Sequence, residues 1–253
     1  MRRSRYIAFG VVVLALIAGV VLLRPRPEHE AAASITTTTT TSTSTTTTVP
    51  GPAFEAADPV GSSVDLYDTP GAPSPSSALP NPTVEHVPLA FLVKEHGPTG
   101  WLKVQVPRRP NESTAWVRSD QVTVRGVENR IQVQRSTHTL TVFKGATNEV
   151  LFTAPVGVGT AKTPTPLGSF YVDIIVKLRH PNGVYGPYQV SVAAFSDVFQ
   201  SFGGGPGQMA IHGTNAPQLI GGDISNGCVR LKNEDIQALI PLVTTGSPVT
   251  IVA

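Results

Sequence analysis

The chain has 23 prolines and 23 glycines, and most of them lie beyond residue 50, where they interrupt it repeatedly. Such punctuation favours short strands and many turns over a helical fold. The intervening runs agree. Trp101-Leu102-Lys103-Val104-Gln105-Val106 alternates apolar and polar side chains, as a strand buried on one face does. Leu140 and Val142, and Val172, Ile174 and Val176, repeat every second residue, the spacing of one sheet face.

Two segments precede this pattern. Ile7 to Leu23 is a stretch of seventeen residues without a charge, preceded by Arg2, Arg3 and Arg5 and followed by Arg24 and Arg26. As a helix it would span about 25 Å, close to the hydrocarbon thickness of a bilayer. The arginine bias places the N-terminus in the cytoplasm and the remainder outside. A cleaved signal peptide is the alternative. The small-residue site Ala31-Ala32-Ala33 lies beyond four charged residues, however, which favours an uncleaved transmembrane anchor over residues 1–27. Residues 28–52 contain an unbroken threonine and serine run from Thr36 to Thr48. It has nothing apolar to bury and reads as a flexible spacer. The net charge is only +2, with much of the positive excess at the N-terminus, so no basic face points to nucleic acid.

Residues 53–126 carry five short strand candidates, at Val64–Tyr67, Ala90–Val93, Trp101–Val106, Ala115–Arg118 and Val122–Val124. This density suggests a small β-barrel. The stretch WLKVQVPRRPNESTAWVR resembles SH3-like modules, with Trp101 and Trp116 expected in the core or on the barrel rim. Residues 127–253 form a second β-rich region ending in one helix. Asn233 is expected as its N-cap, Ile236, Leu239, Ile240 and Val243 form its apolar stripe, and Gly246 is its stop. The Gly-rich Phe202–Gly207 segment lacks the lysine and helix of a phosphate loop and reads as a turn into the next strand.

The chain has a single cysteine, Cys228. In an exported protein a lone thiol is a buried bystander, an intermolecular bridge or a reactive group. Its setting decides. Ile211-His212-Gly213-Thr214 is followed, sixteen residues from histidine to cysteine, by Ser225-Asn226-Gly227-Cys228-Val229-Arg230-Leu231. A thiol becomes an effective nucleophile beside an imidazole, and that imidazole needs an acceptor on its other nitrogen to fix the tautomer. Gly227 allows close backbone approach to a substrate carbonyl. A zinc site built on Cys228 and His212 would lack two ligands, and no metal or other cofactor is expected.

IHGT followed by SNGCVRL resembles the signature of the L,D-transpeptidase (YkuD-type) catalytic domain. The likeness runs from Glu128 to Ala253 and includes Gly157-Val158-Gly159, the turn Thr163–Gly168 and the closing PVTIV strand. The expected fold class is therefore mainly β: a transmembrane helix, an SH3-like barrel, then an L,D-transpeptidase β-sandwich with one C-terminal helix. The resemblance implies a membrane-tethered enzyme at the cell wall, with peptidoglycan stem peptides as partners, a tetrapeptide as donor and an amine as acceptor. It assigns Cys228 as nucleophile, His212 as base and the Gly213 carbonyl as the group holding the imidazole. It also implies Gly227 and Cys228 amides as oxyanion donors, Ser225 and Arg230 as loop supports, and Arg230 as a contact for a substrate carboxylate. The family often has a second histidine where this chain has Asn226, so the base is His212 alone. Arg179 to Tyr188 is expected to form a loop over the cleft. Hydrolysis of the acyl-enzyme, giving an L,D-carboxypeptidase, or transfer to a protein amine would use the same nucleophile. A non-enzymatic wall-binding scaffold is disfavoured by the intact His212–Cys228 pair.

Overall fold

A computed structural model describes residues 51–84 and 86–253. The expected anchor, and all of the expected spacer but its last two residues, lie outside the described residues. Among the described residues no helix is long and apolar enough to cross a membrane.

The first half holds strands β1 (Phe54–Pro59), β2 (Ser63–Leu66), β3 (Ser77–Pro80), β4 (Phe91–His96), β5 (Trp101–Gln105), β6 (Thr114–Arg118) and β7 (Val122–Val127). Five of them form an antiparallel sheet in the order β6-β5-β4-β1-β7, and β2 and β3 pair as a separate hairpin. Alternation does the sorting. Leu102, Val104, Ala115 and Val117 point into a core with Phe91 and Leu66, whereas Trp101, Lys103 and Trp116 sit half-buried on the rim. Two strands, β1 and β3, have no counterpart among the five sequence candidates. The sequence of β1, FEAADP, lacks the β-branched residues that mark a strand. Its alanines are nonetheless central: Ala56 is fully buried, and a Cβ on Gly246 would lie only 2.4 Å from the Ala56 Cβ. Small residues are what that close approach requires.

The second half holds β8 (Asn129–Gln134), β9 (Thr139–Lys144), β10 (Val150–Pro155), β11 (Val158–Gly159), β12 (Gly168–Lys177), β13 (Tyr188–Phe195), β14 (Gln208–His212), β15 (Asp223–Ser225), β16 (Val229–Arg230), helix α1 (Asn233–Leu239) and β17 (Pro248–Val252). The expected sandwich of two sheets is instead one continuous eight-stranded sheet, β10-β9-β8-β17-β12-β13-β14-β16. The ten-residue β12 makes this continuity. Its first residues, 168–171, pair with β17, and after a register shift between Val172 and Ile174 its remainder pairs with β13. A bulge of this kind bends a strand and increases its twist, so the sheet curls over a single core that includes Ile131, Leu140, Phe170, Val192, Ile211 and Leu231. Ile236 and Leu239 of α1 close that core. The helix is shorter than its apolar stripe. Pro241 has no amide hydrogen with which to continue the ladder, and the chain passes into a 3₁₀ turn over Ile240–Leu242.

The two cores are joined by a seam. Leu92 of β4 packs with Tyr171 of β12, Ala193 of β13 and Phe54. Gln105, 2% exposed, donates to the Ser169 carbonyl at 2.8 Å, and Glu112 accepts from the Ser169 amide at 2.6 Å. Val49–Ala253 is in consequence one compact unit. Leu92→Ala should lower stability by about 2–4 kcal/mol, the usual cost of truncating a buried leucine. Urea unfolding should then show a lower midpoint with a single cooperative transition for both halves.

Candidate active site

Strand register builds the site. In the second sheet, β14 lies between antiparallel β13 and parallel β16, with Ile211 opposite Val229 and His212 opposite Arg230. Successive side chains on a strand point to opposite faces. Ile211, Val229 and Leu231 therefore enter the core, each fully buried. His212, Cys228 and Arg230 take the other face and line one cleft with Asn226, Gly227 and Tyr185. The sixteen-residue spacing is closed by two parallel strands and not by a turn. That is how a histidine and a cysteine so far apart share one surface.

The imidazole of His212 is 2% exposed, and its Nδ1 donates to the Gly213 carbonyl at 2.6 Å. That bond fixes the tautomer with Nε2 unprotonated. Burial pushes the ring's pKa down to about 4, against the raising effect of the Gly213 carbonyl; the Arg230 charge lowers it further. The neutral ring's contribution to stability is therefore complete above the unfolded value of about 6.5. It is lost as pH falls through about 4. Cys228 is part-exposed at the cleft. Burial raises its thiol pKa, while a hydrogen bond from the Ala210 backbone and the Arg230 charge pull it down. A thiol raised and an imidazole lowered leave both groups neutral near pH 7.

Ser225, 2% exposed, organises the nucleophile loop. Its Oγ donates to the Cys228 carbonyl at 2.5 Å and accepts from the Gly227 amide at 3.1 Å. The Gly227 amide expected to face an oxyanion is thus engaged by Ser225, which leaves the Cys228 amide as the candidate donor. Gly227 has φ +119°, a conformation that L side chains avoid. The Ser225 carbonyl in turn accepts from the Thr160 amide and from Thr163 Oγ1, at 3.0 and 3.2 Å. The Thr163–Gly168 turn therefore supports the loop directly. Asn226 is exposed at the cleft rim. Arg230 is locked through its backbone to Gly157 by two 2.8 Å bonds, and its Nε is buried without a hydrogen-bond partner.

Two contributors were not singled out by sequence. Tyr185, from the loop between β12 and β13, sets its ring edge-on to the His212 imidazole, with centroids 4.8 Å apart. Asn233 was expected as a helix N-cap, but Lys232 occupies that position and makes no side-chain cap bond. The Asn233 side chain instead accepts from the Thr214 amide at 2.9 Å and donates to the Pro181 carbonyl at 3.3 Å. It thereby links the Arg179–Tyr188 loop to the exit of the histidine strand. Where they meet, Gly186 and Gly213 approach so closely that a Cβ on Gly186 would lie 2.6 Å from the Gly213 Cα. Their glycines were the available signal.

The family model of the L,D-transpeptidase catalytic domain, YkuD, matches residues 128–251. Those residues belong to the L,D-transpeptidase catalytic-domain family. Within them the chain is 40% identical over 104 residues to the curated YkuD protein of Bacillus subtilis, covering 41% of this chain and 55% of that protein. It is 34% identical over 122 residues to YkuD of Bacillus licheniformis, covering 48% and 64%. The chain thus spans between half and two-thirds of the length of these two relatives. An L,D-transpeptidase structure from Mycobacterium smegmatis is 17% identical, with a TM-score of 0.39 over 66% of this chain and 90% of that one.

Arg230 lowers both pKa values, so Arg230→Gln should raise the two together. An NMR titration of the His212 ring should move upward from about 4. The pH profile of Cys228 alkylation should shift upward as well.

Proposed function

We propose that this protein is a peptidoglycan L,D-transpeptidase working through a Cys228 thioester. The observation that carries the reading is the shared cleft face of Cys228, His212 and Arg230, fixed by the parallel pairing of β14 with β16 inside the matched catalytic domain. The Cys228 sulfur attacks the carbonyl of the third residue of a donor tetrapeptide stem as its proton passes to His212 Nε2. The C–N bond to the terminal D-alanine breaks, and His212 returns the proton to the departing amine. The side-chain amine of a second stem's diamino acid then attacks the thioester as His212 takes its proton; the C–S bond breaks, the proton passes to the departing Cys228 sulfur, and a 3→3 cross-link is formed. Neutral resting groups favour this concerted use of His212 as a general base over a standing thiolate–imidazolium pair. The Cys228 amide faces the developing oxyanion. Ser225 holds the loop, Asn226 forms the rim of the cleft, and the guanidinium of Arg230, which lines the same cleft, suits a substrate carboxylate.

We read residues 1–27 as a membrane anchor, 28–52 as the spacer, 53–126 as an SH3-like module and 127–253 as the catalytic domain, placing the enzyme outside the cytoplasm at the wall. Water as acceptor would make it an L,D-carboxypeptidase, and a protein amine a protein-to-peptidoglycan transferase. Both use the same nucleophile.

Exposure to a carbapenem followed by intact-protein mass spectrometry should give a covalent adduct that is absent from Cys228→Ala. An adduct persisting on that variant sinks the assignment. His212→Ala should acylate slower by about 10²–10⁴-fold, the range for a general base. Incubation with disaccharide-tetrapeptide should give cross-linked dimer; loss of D-alanine without dimer would favour the carboxypeptidase.

A further inference from the structure

The cleft extends away from Cys228 along an apolar wall. Phe199, Phe202 and Pro206 line it together with Ile174 and Val176. The two phenylalanine rings lie 5.5 Å apart, and Phe202 is 46% exposed. Phe199, Phe202 and Pro206 belong to the excursion between β13 and β14, which has little of its own to hold it beyond the Val198 and Phe199 amides donating to Ser196 Oγ at 3.2 and 3.0 Å. Its ends are closed by the Ser196 amide donating to the Gly207 carbonyl, and its tip by the mutual Phe202–Gly205 bonds.

What holds the wall comes from the other sheet. The connection between β5 and β6 sends Arg109 across to the excursion, where Nη1 donates to the Ser196 carbonyl at 2.8 Å. Its Nη2 donates to the Phe199 carbonyl at 2.7 Å and the Pro206 carbonyl at 3.2 Å. The guanidinium carbon lies 5.2 Å from the centre of the buried Phe195 ring. Asn111 beside it donates to the Phe195 carbonyl and accepts from the Phe195 amide, both at 2.8 Å. A planar fork of donors with fixed geometry can bind three carbonyls at once, which a lysine ammonium on a flexible stem cannot reproduce. The carbonyls come from both ends and the middle of the excursion, so one side chain sets its shape.

We propose that Arg109 and Asn111 are positioning residues for the acyl donor. Through them the N-terminal β region sets the apolar wall on which the donor's aliphatic chain, away from the attacked carbonyl, is seated. The inference rests on the stem-peptide reading above for the identity of the donor, and not for the clamp itself. On this account the first sheet contributes to donor recognition in the catalytic cleft, besides any role it has elsewhere on the wall.

The test uses the full chain and compares a small thiol reagent with bulky acylating substrates. In Arg109→Ala, alkylation of Cys228 by iodoacetamide should stay within about twofold of wild type, whereas KM for disaccharide-tetrapeptide should rise about tenfold, with kcat changed far less. A tenfold rise corresponds to about 1.4 kcal/mol of donor binding. Arg109→Lys should fail to rescue KM, and Asn111→Ala should move it in the same direction. Hydrogen exchange over residues 196–207 should rise in both alanine variants. If wild type is acylated by a carbapenem yet does not turn over the stem peptide, the substrate reading fails. The clamp is then read from the carbapenem acylation rate, which should fall in Arg109→Ala while alkylation does not. An unmoved KM, rescue by lysine, or equal slowing of alkylation and acylation would overturn the proposal.

Discussion

The parallel pairing of two short strands decides most of what this protein can do. β16 is only two residues long, yet its register against β14 fixes which side chains go inward and which line the cleft. A one-residue slip would exchange the two sets, burying Cys228 and Arg230 and exposing Val229. The core prevents that slip. Ile211, Val229 and Leu231 are fully buried, with Ile236 and Leu239 of the helix in the same cluster. Catalytic geometry and core packing are thus the same constraint seen from opposite faces of a sheet. The Gly157–Arg230 bridge clamps the strand from its other edge.

Charge placement follows from that register. Arg230 stands opposite His212 and two residues beyond Cys228, so a single cation acts on both reactive groups. Without it, burial alone would act against the thiolate, and the backbone contact from Ala210 would be the remaining aid. The Ser225 network adds stiffness without adding charge: a buried hydroxyl serves one carbonyl and one amide within three residues. The loop that carries the nucleophile is accordingly held by the Thr160–Thr165 turn on one side and by its own backbone on the other.

The parts of this arrangement that were legible in the sequence are those written in local patterns. Alternation in IHGT and GCVRL separates the core residues from the reactive ones, and the strands at Trp101 and Leu140 carry the same period. What was not legible depends on distant partners. Strand β1 has too few branched side chains to register, because its alanines are chosen for the approach of Gly246, 190 residues away by number. Arg109 and Asn111 read as turn residues in a proline-rich connection; their partners lie more than eighty positions later. Asn233 looked like a cap because its type and place fit one, and its real partners belong to two separate loops. The two sheets of the expected sandwich became one because a bulge in β12 leaves no mark on hydrophobic periodicity.

A thiol that rests neutral is also a thiol that resists its surroundings. Oxidants and disulfides react with the thiolate. A cysteine whose pKa is raised by burial presents little of that form between turnovers. With no second cysteine in the chain to cap it, the low thiolate fraction also limits conversion of the sulfur to sulfenic acid and mixed disulfides. The need for His212 to activate the nucleophile and the resistance of the resting thiol to oxidation would then share one cause.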